Sequence, residues 1–378
     1  MRTRTRTPNV MMQGVSVPAG NIDPALFAEL TRRQRFVQKP IAAFAGLGQT
    51  DEIELLQAGI IAGIDLILEG SLVVTPGTGT VATTGRWPKD LISLVDLQAN
   101  GATDLTSCTS GALRARHLAA TVGLTDKGVA ESVGNATVYS GTGGFASDSW
   151  GVGQSQTAIA TGTYPVALLF QVPIAMDYRS LTGAVFGQTT ATRLNMSLKW
   201  EQLASLFTLT GNATVALTLA VQPVVTTFRI PQTAKGIIVP DLSVVHQISQ
   251  LTTSAIAGGA TNEISLAGQG PGKSLVRLMA RLWNGNAPVV VTSSSVTSVG
   301  WRYGTSNTPE MDPTGDSHRA SLEEQWGWDA GAQGWVGFDF ATVREVVDES
   351  ENTEIRLLLG LPAGTTVTKV DVVQELLA

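Results

Sequence analysis

Forty glycines and sixteen prolines punctuate the 378-residue chain so densely that it cannot be a bundle of long helices. An interior glycine costs a helix about 1 kcal/mol and a proline about 3, and a bundle needs long runs free of both. The apolar segments between these breaks read as strands. The first are IIAGIDLILEGSLVV at 60–74 and LISLVDLQA at 91–99, with the turn-like TPGTGTVATTG and RWPKD between them. Further along come PVALLFQVPIAMD, RLNMSLKWEQ and ATVALTLAVQPVVTTFRIP. A second series runs to the end: SLVRLMARLW, PVVVTSSSVTSVGWRYG, GWVGFDF, TEIRLLLGL and TTVTKVDVVQEL. Leu194, Met196 and Leu198 show the period of two that puts alternate side chains on one face.

These segments form two successive β-rich blocks joined near 225–250, with no short repeat. Between them, GIIVPDLSVVHQISQL at 236–251 reads as a strand, a proline, an aspartate cap and a short helix. ALRARHLAATVG at 112–123 is a second short helix. Each block carries one long polar stretch, at 134–163 and at about 303–333, and both read as surface loops.

Only 15% of the residues are charged, against about 25% in ordinary soluble proteins. Much of the polar surface is therefore neutral. At 43% hydrophobic the chain builds a core and is not disordered. One cysteine and three histidines exclude a disulfide scaffold and a cysteine-rich metal site. Cys108 reads as a small buried hydrophobe.

Charge is uneven. Residues 1–40 hold seven cations (Arg2, Arg4, Arg6, Arg32, Arg33, Arg35, Lys39) against Asp23 and Glu29. That leaves the arm at +5 and the remaining 338 residues at −11. A basic end on an acidic body suits an anionic partner, although a solvated tail explains the charge equally well. Asn21 or Asp23 can cap a helix, Pro24 suits its first turn, and ALFAELTRRQRFVQ follows at 25–38. Leu26, Leu30 and Val37 recur at near-helical spacing, with three arginines near its end. The arm lacks the apolar stretch of a secretion signal, and no segment approaches the roughly 20 apolar residues of a spanning helix.

Few residues suggest chemistry. Ala267-Gly268-Gln269-Gly270-Pro271-Gly272-Lys273-Ser274 nearly matches a phosphate-binding loop, with Asp339 as a possible second acidic motif. Yet only 104 residues follow Ser274, and they read as β followed by β. SLVRLMARLWNGNAPVVV reads equally well as two strands about an Asn-Gly turn. Asp316, Ser317 and His318 are neighbours in sequence, which rarely gives the spatial order a hydrolase needs. Asp312, Asp316, Glu323 and Glu324 match no calcium-loop spacing. His117, His246 and His318 are too dispersed for a metal site. The eight tryptophans are scattered, as core or interface residues would be. The acidic body would repel nucleic acid, so sequence-specific binding is not expected.

The segments Val172-Pro173-Ile174-Ala175, Ser180-Leu181-Thr182-Gly183-Ala184-Val185 and Arg193-Leu194-Asn195-Met196-Ser197-Leu198-Lys199-Trp200 are more particular. This succession resembles the major coat protein of tectiviruses, the tailless icosahedral phages with an internal membrane. Ile238-Val239-Pro240-Asp241-Leu242-Ser243 resembles that family's link between halves. The local match covers about 80 residues (165–250); elsewhere the agreement is one of order and length.

The resemblance implies an all-β double jelly roll: two eight-stranded sandwiches side by side, a short N-terminal helix and a few others. The arm would be 1–40, the first jelly roll 41–235 and the second 236–378. It implies a non-enzymatic viral capsid protein of the virion, without catalytic residues, cofactor or metal. Three copies would form a pseudo-hexagonal capsomer that packs laterally into an icosahedral shell and meets minor capsid and vertex proteins. The arm would lie inward, with Arg32, Arg33, Arg35 and Lys39 facing the lipids of an internal membrane. The other readings left open are a packaging ATPase using the 267–274 loop through Lys273, and a host-attachment or glycan-binding protein. The latter would use Tyr139, Trp150 and the 303–333 stretch.

Overall fold

The computed structural model describes residues 11–12, 15–16, 31–43, 48–101, 103–120, 159–178, 180–187, 193–229, 232–233, 236–237, 242–266, 273–303, 310–340, 347–348 and 355–378. The principal elements of the first half are β1 (Arg33–Val37), β2 (Ile41–Ala43), β3 (Thr50–Glu54), β4 (Ile60–Thr75), β5 (Ile92–Ala99), β6 (Thr103–Cys108), α1 (Ser110–Ala120), β7 (Gly162–Pro173), β8 (Val185–Phe186), β9 (Leu194–Trp200) and β10 (Thr214–Phe228). Those of the second half are β11 (His246–Ile256), β12 (Ala260–Ser265), β13 (Ser274–Asn284), β14 (Ala287–Pro288), β15 (Ser298–Tyr303), α2 (Gly315–Trp326), β16 (Trp335–Asp339), β17 (Ile355–Leu361) and β18 (Val367–Leu377).

Three sheets carry the fold. The first runs β7-β4-β10-β1, with β2 on β10 and β8 on β4. The second, of ten strands, runs β14-β13-β18-β11-β6-β5-β9-β3 and crosses from one half of the chain to the other. The crossing is the parallel contact of β11 with β6, Ile248 against Thr106 and Ser249 against Ser107. The third runs β12-β17-β15, ending on residues 310–312.

Alternation explains the layers. In β9, Leu194, Met196, Leu198 and Trp200 are buried while Asn195 and Lys199 are exposed. Its inner face, with Val95 and Leu97 of β5, meets Leu66, Leu68, Phe170 and Leu219 of the first sheet in one core. In the second half, Leu278, Ala280 and Leu282 of β13 and Val370 and Val372 of β18 meet Leu357 and Leu359 of β17 in another. Two sandwiches thus stand side by side, and their shared sheet takes its cover from opposite faces.

Three local expectations are corrected. The helix read over 25–38 does not extend over 33–37; these residues are β1, paired with Phe228 through Val224 of β10. Pairing satisfies the backbone of a long strand that would otherwise stop in open solvent, and this outweighs the helical spacing of a few apolar residues. Residues 21–30 lie outside the described residues. The helix read at the end of 236–251 is the start of β11, drawn into the sheet by ten pairings with β18. The 303–333 stretch is not all loop: Thr314 caps α2 in a reciprocal capping box with Ser317, and Gly327 ends it in the left-handed conformation. The short helix before Gly123 is present as α1. The Asn-Gly turn is present too, with Gly285 at φ +60° and Asn284 opposite Ala287. The stretch 134–158 lies outside the described residues.

Candidate functional site

The most heavily built part of the molecule is the seam between the two sandwiches. β13 and β18 are antiparallel, and their register sets Arg277 opposite Glu375, Met279 opposite Val373 and Arg281 opposite Asp371. All six side chains share the face turned toward the first half, and all are buried. Met279 and Val373 belong to the first sandwich's core. A stripe of apolar contact is therefore flanked on both sides by buried charged residues.

From the first half, α1 enters this stripe. Its start is fixed by Ser110, whose hydroxyl donates to the Lys89 carbonyl at 2.6 Å and accepts from the Ile92 amide at 3.1 Å. Nine of its residues are buried. On one side of the stripe, Arg116 of α1 donates to Glu375 through Nε (3.0 Å) and Nη2 (2.6 Å), and Nη2 also donates to the Met176 carbonyl at 3.0 Å. Arg277 donates to the other oxygen of Glu375 and forks onto Asp339 at 3.0 and 2.7 Å. His246 stands between the Ile174 carbonyl (3.1 Å) and Glu375 (2.8 Å). Both ring nitrogens thus lie within hydrogen-bond distance of an oxygen.

On the other side, Arg281 donates to Asp90 of the first half at 2.9 Å and to the Gln333 carbonyl at 3.1 Å. Its guanidinium lies 4.0 Å from the Trp283 ring centroid and 5.5 Å from that of Trp335. Trp283 in turn donates to Asp371 at 2.8 Å, and Lys89 donates to the Gln333 side chain. Asp90 can come this close because residue 111 is glycine: a Cβ there would lie 2.1 Å from Asp90 Oδ1.

The charges behave accordingly. Burial opposes the Glu375 carboxylate, but Arg116, Arg277 and His246 outweigh it and hold its pKa well below the usual carboxylate range. Burial likewise opposes the Arg277 charge, and Glu375 and Asp339 more than restore it. Burial, followed by Arg114 and Arg116, pushes His117 down to about 4. A buried pair adds little net stability over apolar packing, but losing one partner costs about 3–5 kcal/mol. The seam therefore specifies one relative setting of the two sandwiches and penalises others.

The residues singled out in the sequence are not brought together. Ser274 opens a strand, not the helix that a phosphate loop requires, and 267–272 lie outside the described residues. The ATPase reading of 267–274 is corrected on that ground. Asp316 accepts from Ser293, Ser317 donates to the Thr314 carbonyl, and His318 meets Asp312 at 2.5 Å and the Gly337 amide at 3.1 Å. The three point to different partners. Trp326 and Trp335, within or beside the 303–333 stretch, are buried and unavailable to a glycan. Tyr139 and Trp150 lie outside the described residues. Among the basic residues of β1 and its flanks, Arg35 pairs with Asp65 at 2.6 Å and Arg33 lies 5.3 Å over the Tyr178 ring. Arg32 and Lys39 are exposed.

Of the seam, the sequence drew attention to His246, as one of three dispersed histidines, and to Asp339, as a possible partner of the 267–274 loop. The signal was available: Arg277 and Arg281 stand four apart in one apolar run, Asp371 and Glu375 four apart in another. Charges at the same period on two strands are what a second buried, paired face requires.

No protein-family model matches the sequence, and no curated protein matches it. Solved structures do. The MCP of STIV, the Sulfolobus turreted icosahedral virus, superimposes with a TM-score of 0.66 at 15% identity, over 92% of this chain and 97% of that one. A second structure, from the atomic structure of the same virus, gives 0.63 at 15% identity, over 92% and 90%. The capsid model of the virus PBCV-1 gives 0.54 at 11% identity, over 91% and 93%. The fold is the double jelly roll shared with these chains, as the tectivirus resemblance implied.

Proposed function

We propose that this chain is the major capsid protein of an icosahedral virus, a shell component of the virion with no catalytic role. The observation that carries the reading is near end-to-end likeness to the STIV MCP, 92% of one chain and 97% of the other. At 92% of this chain, the likeness spans both sandwiches. A rigid block of two sandwiches is a suitable brick: three such blocks give six wall-like units around one axis, hence a pseudo-hexagonal outline. Low surface charge suits lateral burial between bricks.

In this reading the chain forms homotrimers, and the trimers pack side by side over an internal membrane and meet minor capsid and vertex proteins. Arg32, Arg33, Arg35 and Lys39 face the lipid. What supports this is the exposure of all four around β1, with Val37 64% exposed among them. Each cation near an anionic surface contributes roughly 1 kcal/mol. Arg35 shares its charge with Asp65, so Arg32, Arg33 and Lys39 carry most of the attraction.

Light scattering on the purified chain tests the assembly: the expected mass is three times that of the chain, and a stable monomer at assembly concentrations contradicts it. Flotation with anionic vesicles tests the membrane face. Because β1 is part of a sheet, the variant is Arg32→Ser/Arg33→Ser/Lys39→Ser rather than a deletion. Weakened binding is expected; unchanged binding refutes that face.

A further inference from the structure

The two sandwiches are built on one plan, down to the same irregularity. In the first, β10 pairs with β4 as Phe228–Ile60 and Thr227–Ile61, then shifts register to Thr226–Gly63. In the second, β18 pairs with β13 as Leu377–Ser274 and Leu376–Leu275, then shifts at the same step to Glu375–Arg277. β1 and β11 flank these pairs alike. Arg33 lies opposite Phe228 and Arg35 opposite Thr226, as His246 lies opposite Leu377 and Ile248 opposite Glu375. In the facing sheets, Val95 opposite Cys108 and Leu97 opposite Thr106 correspond to Val299 opposite Asp312 and Trp301 opposite Glu310. A helix follows in both, α1 after Cys108 and α2 after Asp312.

Within the chain the two plans meet edge to edge: β11 pairs in parallel with β6, Ile248 beside Thr106 and Ser249 beside Ser107. The corresponding opposite edges are left over. β1 ends the first sheet and residues 310–312 end the third, and among the described residues no strand pairs the outer side of either. An open edge of this kind recruits another strand.

The backbone phase of the two flanking strands also agrees. Val245 and Ala378 exchange both backbone bonds at 2.8 Å, so odd residues of β11 bond to β18 and even ones, Ile248 among them, turn toward β6. In β1, Gln38 N–H donates to the Pro223 carbonyl at 2.9 Å and Arg229 N–H to the Arg32 carbonyl at 3.1 Å. Even residues of β1 therefore bond to β10, and Arg33, Arg35 and Val37 turn their backbone groups outward. Arg35 thus holds the place of Ile248 with the same backbone side turned out. The charges are complementary as well: Arg33 and Arg35 alternate along one leftover edge, Glu310 and Asp312 along the other.

We propose that β1 of one copy pairs in parallel with residues 310–312 of a second, Arg35 beside Glu310 and Phe36 beside Met311. The contact repeats between chains the joint that β11 and β6 make within one. Only backbone groups of β1 enter the pairing, which leaves its side chains on the two faces of the sheet. A head-to-tail contact builds a ring where its rotation closes; that the ring closes at three copies rests on the capsid reading. α2 of the second copy then lies over the outer face of β4 and β10, as α1 lies over that of β13 and β18. There Thr226 and Gly63 stand where the seam has Glu375 and Arg277. The joint between copies therefore lacks the seam's charged pair at that position and is the one that separates first.

The test uses the full chain carrying Arg35→Cys/Glu310→Cys, oxidised at concentrations that support assembly. Directly paired strand residues lie within the reach of a disulfide. The expected products on a denaturing gel are chains linked in twos and threes, and neither single variant should link. Unlinked chains, a bridge closed within one chain, or equal linking of a single variant overturns the pairing. If such a failure comes with a native mass of three chains, this joint alone is refuted. Linked chains whose native mass is not that of three refute the trimer and leave the joint standing. A chain that never associates overturns both. Hydrogen exchange on the unaltered chain needs no variant: amides of 33–37 should exchange about tenfold or more slowly in the oligomer than in monomers obtained by dilution. Equal exchange in the two states overturns the proposal.

Discussion

The ten-stranded sheet shows two charged faces that differ in every respect that matters. Across β13 and β18, Arg277, Arg281, Asp371 and Glu375 are buried and opposite one another in register, with Arg281 bound to Asp90 and Glu375 to Arg116 from the other half. Across β3, β5 and β9, Glu52 and Glu54 are exposed and Asp96 is half-buried, with Lys199 the cation on the same face among the described residues of these strands. In the first case desolvation makes each charge depend on its partner, so charge fixes geometry. In the second, water already stabilises the exposed carboxylates of Glu52 and Glu54, and their charge fixes no geometry. One sheet thus joins the halves of a brick along one stretch and offers a surface along another.

The largest test of this contrast is Glu375→Gln, which leaves Arg116 and Arg277 without their shared carboxylate. The expected loss is about 3–5 kcal/mol in urea unfolding; a loss below about 1 kcal/mol would mean that the seam is not fixed by charge. The same residue sets a pH dependence. Its pKa is depressed in the folded state. Its contribution is therefore complete above the unfolded value, near about 4.3, and is lost as pH falls through the lower folded value. Unfolding midpoints measured from pH 7 to 3 should drop steeply in the parent chain and more gently in Glu375→Gln.

Next comes Arg281→Met, which keeps bulk between Trp283 and Trp335 but strands Asp90. A loss of about 3 kcal/mol is expected. Adding Asp90→Asn should recover part of it, with a coupling of about 0.5–3 kcal/mol in the double-mutant cycle; strict additivity would break the pairing assigned here. Burial raises the Cys108 thiol, so a thiol reagent should label it only on unfolding, and rapid labelling of the native chain would contradict its place in the core. The smallest effect belongs to the open face. Glu52→Lys/Glu54→Lys should leave stability unchanged within about 0.5 kcal/mol, since among the described residues no ion pair is made to those carboxylates.

The sheet strands were legible because alternation and glycine-rich turns are local signals, as in β9 and around Gly285. The fold's class followed from the succession Val172-Pro173, Gly183 and Leu194–Trp200, which spans the end of β7, a turn and β9. What misled was local pattern overruled by distant pairing. Residues 33–37 carry helical spacing, yet β10, nearly two hundred residues away, takes them as a strand. His246 looked helical until β18, at the far end of the chain, claimed it. The seam was hidden for the related reason that two buried faces of one strand leave an almost continuous apolar run. Arg277 and Arg281 then read as interruptions rather than as half of a pair.

We propose that two sandwiches locked by a buried seam form one brick of a trimeric capsomer. Electron microscopy of the purified full-length protein tests it most directly. Class averages showing trimers with a pseudo-sixfold outline are the expected result. A uniform field of single two-lobed particles at concentrations that support assembly would contradict it.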